Sequence, residues 1–80
     1  MLSRLSESPK VVGAKQTKRA LTGGKAVAVY LAEDADPRVT DAIRELSEQC
    51  SVPVHDVPSM KELGRACGIA VGAAVAAEIH

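Results

Sequence analysis

Aromatic side chains are almost absent from this sequence. Its 80 residues contain no tryptophan and no phenylalanine, and Tyr30 is the one tyrosine. A chain with a single ring has no platform on which successive single-stranded bases can stack. Its interior must instead be filled by aliphatic side chains, which the 46% hydrophobic content supplies. The length and composition are those of one ordinary globular domain with a small core.

Cysteine and long apolar runs are also scarce. Cys50 and Cys67 lack C-x-x-C spacing, and we expect two packed thiols in a reducing cytoplasm. The longest apolar run, residues 69–77, is shorter than the roughly 20 residues of a membrane span. Residues 1–10 lack the apolar segment of a secretory signal. His55 and His80 fit no zinc pattern, so no membrane, metal or cofactor is expected.

The net charge is zero at pH 7 but is unevenly distributed. Residues 1–25 contain six basic residues and one acidic residue, whereas residues 26–80 contain four basic and nine acidic residues. Concentrated basic charge on an otherwise acidic body is typical of a local nucleic-acid footprint. A merely solvated basic face is the alternative that charge alone leaves open.

The first half of the chain predicts a strand, a helix and a second strand. Val11 and Val12 form a short strand or the lead-in to a helix over residues 15–22, which stops at Gly23 and Gly24. Residues 26–32 are seven apolar residues without polar alternation. That pattern favours a central strand covered on both faces.

The second half continues the alternation. Asp36 is the expected N-cap of a helix with Pro37 at its first position. Its apolar stripe consists of Val39, Ala42, Ile43, Leu46 and Cys50. A strand at 52–57 precedes a helix over 60–67, which begins with the capping-box pair Ser59 and Glu62 and ends at Gly68. Leu63, Ala66 and Cys67 are expected to face inward from this helix. The loop 68–72 follows, and residues 73–79 are ambiguous, because alanine favours helix whereas the position requires a strand.

This order of elements predicts an α/β fold, specifically a three-layer α/β/α sandwich with a mixed, roughly four-stranded sheet. Residues 1–80 form a single domain, in which residues 1–8 are a loose N-terminal arm or one short helical turn.

The segment 11–21 joins an apolar pair to Gly13 and then to a helix start that carries Lys15, Gln16, Lys18 and Arg19. The start of a helix presents unpaired backbone N–H groups and partial positive charge, both of which attract phosphate. Cationic side chains and an amide beside it suit a nucleic-acid backbone with exposed base edges. We therefore predict that this segment binds structured RNA.

Three blocks of sequence, residues 13–21, 31–37 and 59–69, resemble the kink-turn-binding family of ribosomal proteins, the L7Ae and L30e type. The similarity covers roughly residues 10–79 and is strongest to the small bacterial members. In a kink-turn, an RNA duplex bends sharply at a bulge that is followed by sheared G·A pairs. The resemblance implies a non-catalytic protein that binds such RNA and stabilises its bent form.

The resemblance also implies roles for particular residues. The archaeal and eukaryotic members have Asn-Glu, in contact with the guanines of the G·A pairs, where this chain has Lys15 and Gln16. Arg19 matches a helix lysine near the same guanines and backbone. The family loop that packs against the bulge nucleotides corresponds to Ile69 to Val71 of this chain. The family often has proline where this chain has Gly72. The predicted RNA-binding residues are Gly13, Ala14, Lys15, Gln16, Lys18, Arg19, Glu33, Lys61, Ile69, Ala70 and Val71.

The expected partner is a kink-turn in ribosomal RNA, an mRNA or a riboswitch, bound by a monomer in a bacterial cytoplasm, with the ribosome as one candidate assembly. The alternative is a protein-interaction module of the same fold that acts in ribosome assembly through its acidic region without touching RNA. An enzyme has little support, because a turn and N-cap role explains Glu33 and Asp34 better than paired catalytic carboxylates.

Overall fold

A computed structural model describes residues 8–80, within which the chain forms four strands and three helices. The arm expected over residues 1–8 lies outside this range except for Ser8. The longest helix of the described part has 13 residues, and no helix there has the length and apolar character needed to cross a membrane. The elements in chain order are β1 (Lys10–Val12), α1 (Ala14–Thr22), β2 (Ala26–Ala32), α2 (Pro37–Gln49), β3 (Val54–Val57), α3 (Met60–Ala66) and β4 (Val75–Ile79).

The four strands form one mixed sheet in the order β1-β4-β2-β3. Strand β4 is antiparallel to both β1 and β2, whereas β3 is parallel to β2. The ambiguous segment 73–79 therefore contains a central strand, which covers Val75–Ile79. Ala76 and Ala77 on this strand are fully buried, because β4 is covered on both faces and has no exposed edge.

Helices cover both faces of the sheet, which confirms the predicted three-layer sandwich. Helices α1 and α2 pack on one face, where the buried hydrophobic side chains include Leu21, Val29, Leu31, Ile43, Val75 and Ala77. Helix α3 packs on the other face, where they include Ala28, Tyr30, Ala32, Val57, Leu63, Cys67 and Ala76. The ring of Tyr30 stacks on the imidazole of His55 with 5.2 Å between ring centroids.

Helix α2 begins as the sequence predicts, but the predicted set of inward-facing residues on this helix is partly wrong. The carboxylate of Asp36 accepts a hydrogen bond from the Arg38 N–H at 2.9 Å, and Pro37 is the first helical residue. Ala42 is exposed, because it lies at the margin of the packed face. Ser47 is buried on that face instead, where its hydroxyl donates to the Ile43 carbonyl at 2.7 Å.

The two thiols differ in their surroundings. Cys67, the C-cap of α3, is buried, and burial raises the pKa of its thiol. The prediction that both thiols are packed is wrong for Cys50, which is exposed because it lies just beyond the last turn of α2. Its Sγ still contacts the Leu21 carbonyl oxygen at 3.6 Å.

Five element bounds differ from the predicted ones by one or two residues: β1 begins at Lys10, α1 begins at Ala14, β3 begins at Val54, α3 ends at Ala66, and β4 begins at Val75. Pro53 explains the later start of β3, because it has no N–H to donate to a ladder. Its carbonyl nevertheless accepts from the Val29 N–H at 2.9 Å.

Candidate nucleic-acid interface

Three strands end and the fourth begins at one end of the sheet, which we call the junction end. Since β4 runs against β1 and β2, its first residue, Val75, pairs with Leu31 near the end of β2, and Ala76 pairs with Val12 at the end of β1. Parallel β3 ends beside β2, with Val57 paired to Ala32. The segments that meet at the junction end are therefore residues 13–16, 33–36, 58–61 and 67–74.

Backbone hydrogen bonds join these segments directly. The Gly13 N–H donates to the Val75 carbonyl at 2.9 Å, and the Ala32 N–H donates to the Ala74 carbonyl at 2.9 Å. The Glu33 N–H donates to the Val57 carbonyl at 2.8 Å. The start of α1, the end of β2 and the end of the 68–74 segment are thus neighbours, although they are far apart in sequence.

The start of α1 has an open N-terminus. Gly13 is its N-cap, at φ 100° and ψ 155°, a backbone conformation that L side chains rarely adopt. Glycine has no side chain to cap the first N–H groups, and no acidic residue occupies the first turn. The partial positive charge of this helix end is therefore available to an external anion.

The side chains of α1 divide into a buried face and two exposed flanks. Thr17, Ala20 and Leu21 are buried against the sheet. Gln16 and Arg19 line a groove between α1 and the edge strand β1. The structure thus brings these two residues together, and Lys15 is exposed on the same turn.

Lys18 lies on the opposite flank of α1. It lines a second groove, between α1 and α2, together with Glu45 and Gln49. The structure therefore separates Lys18 from the other polar residues of this helix that the sequence grouped with it, and the nearby carboxylate offsets part of its charge.

The 68–72 loop is an exposed apolar segment. Helix α3 ends in a Schellman motif, in which the Gly68 N–H donates to the Arg65 carbonyl and the Ile69 N–H donates to the Gly64 carbonyl, both at 3.0 Å. Gly68 adopts φ 78°, as this motif requires. Ile69 is 37% exposed and Val71 is 70% exposed, and Ala70 between them is also exposed.

This loop is held against α3 by close backbone contacts. A Cβ on buried Gly64 would overlap the Val71 carbonyl oxygen, so only glycine permits the observed approach. The Ala73 N–H donates to the Met60 carbonyl at 3.0 Å. Met60 is itself 37% exposed beside the loop. Sequence reasoning missed this residue, because its exposure depends on how the loop folds back.

Asp34 connects the β2–α2 turn to α3. Its Oδ1 accepts a hydrogen bond from the Met60 N–H at 2.7 Å. The Ser59 hydroxyl accepts from the Glu62 N–H at 3.1 Å, as the predicted capping box requires. Two of the free N–H groups at the start of α3 are therefore satisfied by side chains. The sequence placed Asp34 in a turn but gave no sign of its partner 26 residues later.

We expect Asp34→Ala to loosen the start of α3. The variant loses one N–H···carboxylate hydrogen bond at a helix N-terminus, which is worth about 1 kcal/mol. Hydrogen exchange of the Met60 amide should accelerate, and the thermal midpoint should fall by a few degrees. Asp34→Asn keeps the acceptor oxygen and is the matched control. Equal exchange rates at Met60 in both variants would contradict this role.

The charge at the junction end is mixed. The Arg38 guanidinium grips the carboxylate of Asp36 at 2.9 Å and holds the pKa of Asp36 below its usual value. Glu33 and Lys61 are exposed on neighbouring segments. Anions are therefore favoured on the α1 side and repelled near 33–36. Among residues 8–80, no three His, Cys, Asp or Glu side chains are grouped so as to hold a metal ion.

Comparison with known proteins gives concordant matches. The model of the ribosomal protein L7Ae/L30e/S12e/Gadd45 family matches residues 3–80. A protein named as an RNA-binding protein from Geobacillus sp. is 53% identical over 76 residues, which cover 95% of this chain and 93% of that protein. Another protein with that name, from Caldanaerobacter subterraneus, is 47% identical over 70 residues, which cover 88% of this chain and 85% of that protein.

Solved structures show the same fold. The Giardia lamblia 15.5kD RNA binding protein superimposes with a TM-score of 0.92 at 28% identity, covering 99% of this chain and 70% of that chain. A protein of unknown function from Bacillus halodurans superimposes with a TM-score of 0.89 at 24% identity, covering 99% and 83%. The second likeness concerns the fold alone.

Proposed function

Because the chain belongs to the ribosomal protein L7Ae/L30e/S12e/Gadd45 family, we propose that it binds structured RNA without catalysing a reaction, and that its target is a kink-turn. The observation that carries this proposal is the meeting of two surfaces at the junction end. One is the cationic start of α1, whose first N–H groups no side chain caps, and the other is the exposed apolar loop 68–72. Relatives at 47–53% identity are named as RNA-binding proteins.

The start of α1 is suited to the sheared G·A pairs. Lys15 can donate to the O6 and N7 atoms of a guanine, and the Gln16 amide can both donate to and accept from a base edge. Arg19 lies one turn further along and can bind the adjacent phosphate. Gly13 and Ala14 leave room for the RNA backbone to approach the free N–H groups of the helix.

The apolar loop is suited to the unpaired nucleotides of the bulge. Ile69, Ala70 and Val71 offer exposed apolar surface on a backbone that Gly64 and the Met60 carbonyl hold in place. A base that leaves the helical stack loses its stacking partners and can pack on such surface instead. Glu33 can orient a nucleotide from the neighbouring strand end, and Lys61 can bind its phosphate.

Shape recognition explains how so small a surface can act. An unbound kink-turn exchanges between extended and bent forms, and a protein that binds the bent form shifts this balance. A shift from 1:99 to 99:1 requires about 5.5 kcal/mol of differential affinity. Base contacts worth about 1–3 kcal/mol each, with phosphate contacts in addition, supply this amount.

A titration with two RNA duplexes tests the proposal. The first contains a kink-turn, and in the second the G·A pairs are replaced by Watson–Crick pairs. We expect the kink-turn duplex to bind at least about 30-fold more tightly, because two base contacts worth about 1–3 kcal/mol each are lost in the other. Equal affinity for the two duplexes would exclude kink-turn recognition, and no affinity for either would exclude RNA binding of this class.

A further inference from the structure

The groove between α1 and the edge strand β1 extends beyond the predicted RNA-binding residues. It is open to solvent and has a volume of about 350 Å³. Its floor is formed by Val11, Ala20 and Ile79. Gln16 lies toward the junction end, whereas Ile79 lies at the opposite end of the sheet, so the groove runs along most of α1.

Among residues 8–80, two cations and an amide line the groove, and no carboxylate does. The amide is Gln16, and the cations are Arg19 and Lys25. The second groove on α1, toward α2, contains Lys18 together with Glu45. Of the two grooves on α1 in the described part of the chain, only the one on the β1 side therefore presents cations without a carboxylate in its lining.

Lys25 has a fixed backbone position beside the last turn of α1. Its N–H donates to the Ala20 carbonyl at 2.9 Å, and its carbonyl accepts from the His80 N–H at 3.1 Å. The residue is exposed, so its side chain extends into the groove from a backbone that hydrogen bonds hold in place. Residues 16 to 22 span about 9 Å of helix axis, which is the axial length of about three nucleotides of one strand.

We propose that this groove holds the phosphate backbone of an RNA stem that continues from the kink-turn, with Lys25 as a phosphate-binding residue. The inference rests on the proposed function and extends it by about three nucleotides. An apolar floor offers no donors or acceptors for base edges, whereas the lining cations match phosphate. The groove therefore contributes affinity without contributing sequence preference.

A structural role for Lys25 makes a different prediction. A cation near the C-terminal end of a helix also offsets the partial negative charge of that end. If this were its only role, Lys25→Gln would lower the thermal midpoint and leave RNA binding unchanged. If Lys25 binds phosphate, the variant changes the salt dependence of binding instead.

The test measures kink-turn affinity against salt concentration for the full chain and for three variants. Lys25→Gln should reduce the slope of log affinity against log salt by about one, because one phosphate contact is lost. As salt rises from about 50 to 200 mM, the ratio of the parent chain's RNA affinity to that of Lys25→Gln should fall roughly three- to fourfold. Lys25→Arg should keep the parent slope. Arg44→Gln is the charge-matched control on α2, where Arg44 pairs with Asp56 at 2.5 Å.

Shortening each RNA stem in turn identifies the stem that occupies the groove. The effect of Lys25→Gln should disappear when one of the two stems is truncated and persist when the other is. If Lys25→Gln has the same slope of log affinity against log salt as the parent chain, the inference is overturned while kink-turn binding stands. Failure of the parent chain to bind any kink-turn would overturn both proposals and is seen without any variant.

Discussion

The double variant Lys15→Ala/Gln16→Ala is expected to bind a kink-turn duplex at least about 30-fold more weakly than the parent chain, because each base contact is worth about 1–3 kcal/mol. Both side chains are exposed at the start of α1, and neither is part of the buried core. The thermal midpoint should therefore stay within about 2 °C of the parent value. Calorimetric titration and thermal unfolding measure the two quantities on the same samples.

The matched control is Arg44→Ala/Gln49→Ala, which also removes one cation and one glutamine from a helix. These residues lie on α2, and Gln49 lines the groove that faces away from β1. We expect this control to bind the kink-turn within about threefold of the parent chain, since no base contact is lost. An equal loss in both double variants would mean that general charge, and not the start of α1, carries the affinity. A large fall in the thermal midpoint of the first would assign Lys15 and Gln16 a structural role.

Gly64→Ala is expected to cost about 2–3 kcal/mol of unfolding free energy, which lowers the thermal midpoint by roughly 10–20 °C in a domain of this size. The new Cβ would overlap the Val71 carbonyl oxygen and lie 3.0 Å from the Cα of Gly72. Both obstacles are backbone atoms, so a change of side-chain rotamer cannot relieve the overlap. The better helix propensity of alanine offsets only about 1 kcal/mol of this cost.

The same substitution should also weaken kink-turn binding at temperatures where the variant is folded. Relief of the overlap requires the 69–72 backbone to move away from α3, which displaces the apolar surface proposed to meet the bulge. Gly72→Ala is the control in the same loop, because its Cβ would lie 3.2 Å from the Met60 Cβ and 3.4 Å from the nearest Met60 backbone atoms, a contact that a shift of a few tenths of an ångström relieves. Similar losses of stability in the two variants would show that the contact between Gly64 and the backbone of Val71 and Gly72 is not as tight as described.

Local chemistry predicted those elements whose signals lie within a few residues. Asp36 and Pro37 determine the start of α2, and the apolar run 26–32 determines a strand covered on both faces. Local signals were insufficient at residues 73–79, where four of the seven residues are alanine. Pairing with two strands decides that segment, because the narrow space between two helical layers accepts small side chains.

The candidate site was predictable as a set of residues but not as a surface. The sequence pattern grouped Lys18 with Gln16 as residues of the same helix start, yet the way the helix packs on the sheet assigns them to opposite flanks. Lys25 was not predicted, because its groove exists only when β1 and the end of β4 lie beside α1. The contact between Asp34 and Met60 was not predicted for the same reason, since it joins two turns that are distant in sequence.

The central place of β4 has a consequence for the order of assembly. Strand β1 pairs with β4, and the first N–H of the α1 cap bonds to Val75, more than 60 residues later. During synthesis, Lys15 and Gln16 therefore emerge from the ribosome long before β4, the strand that completes the sheet on which α1 packs. Closing so long a loop delays the pairing on which that sheet depends. We therefore expect the proposed RNA-binding surface to be completed only when the alanine-rich strand inserts, and not by degrees as synthesis proceeds.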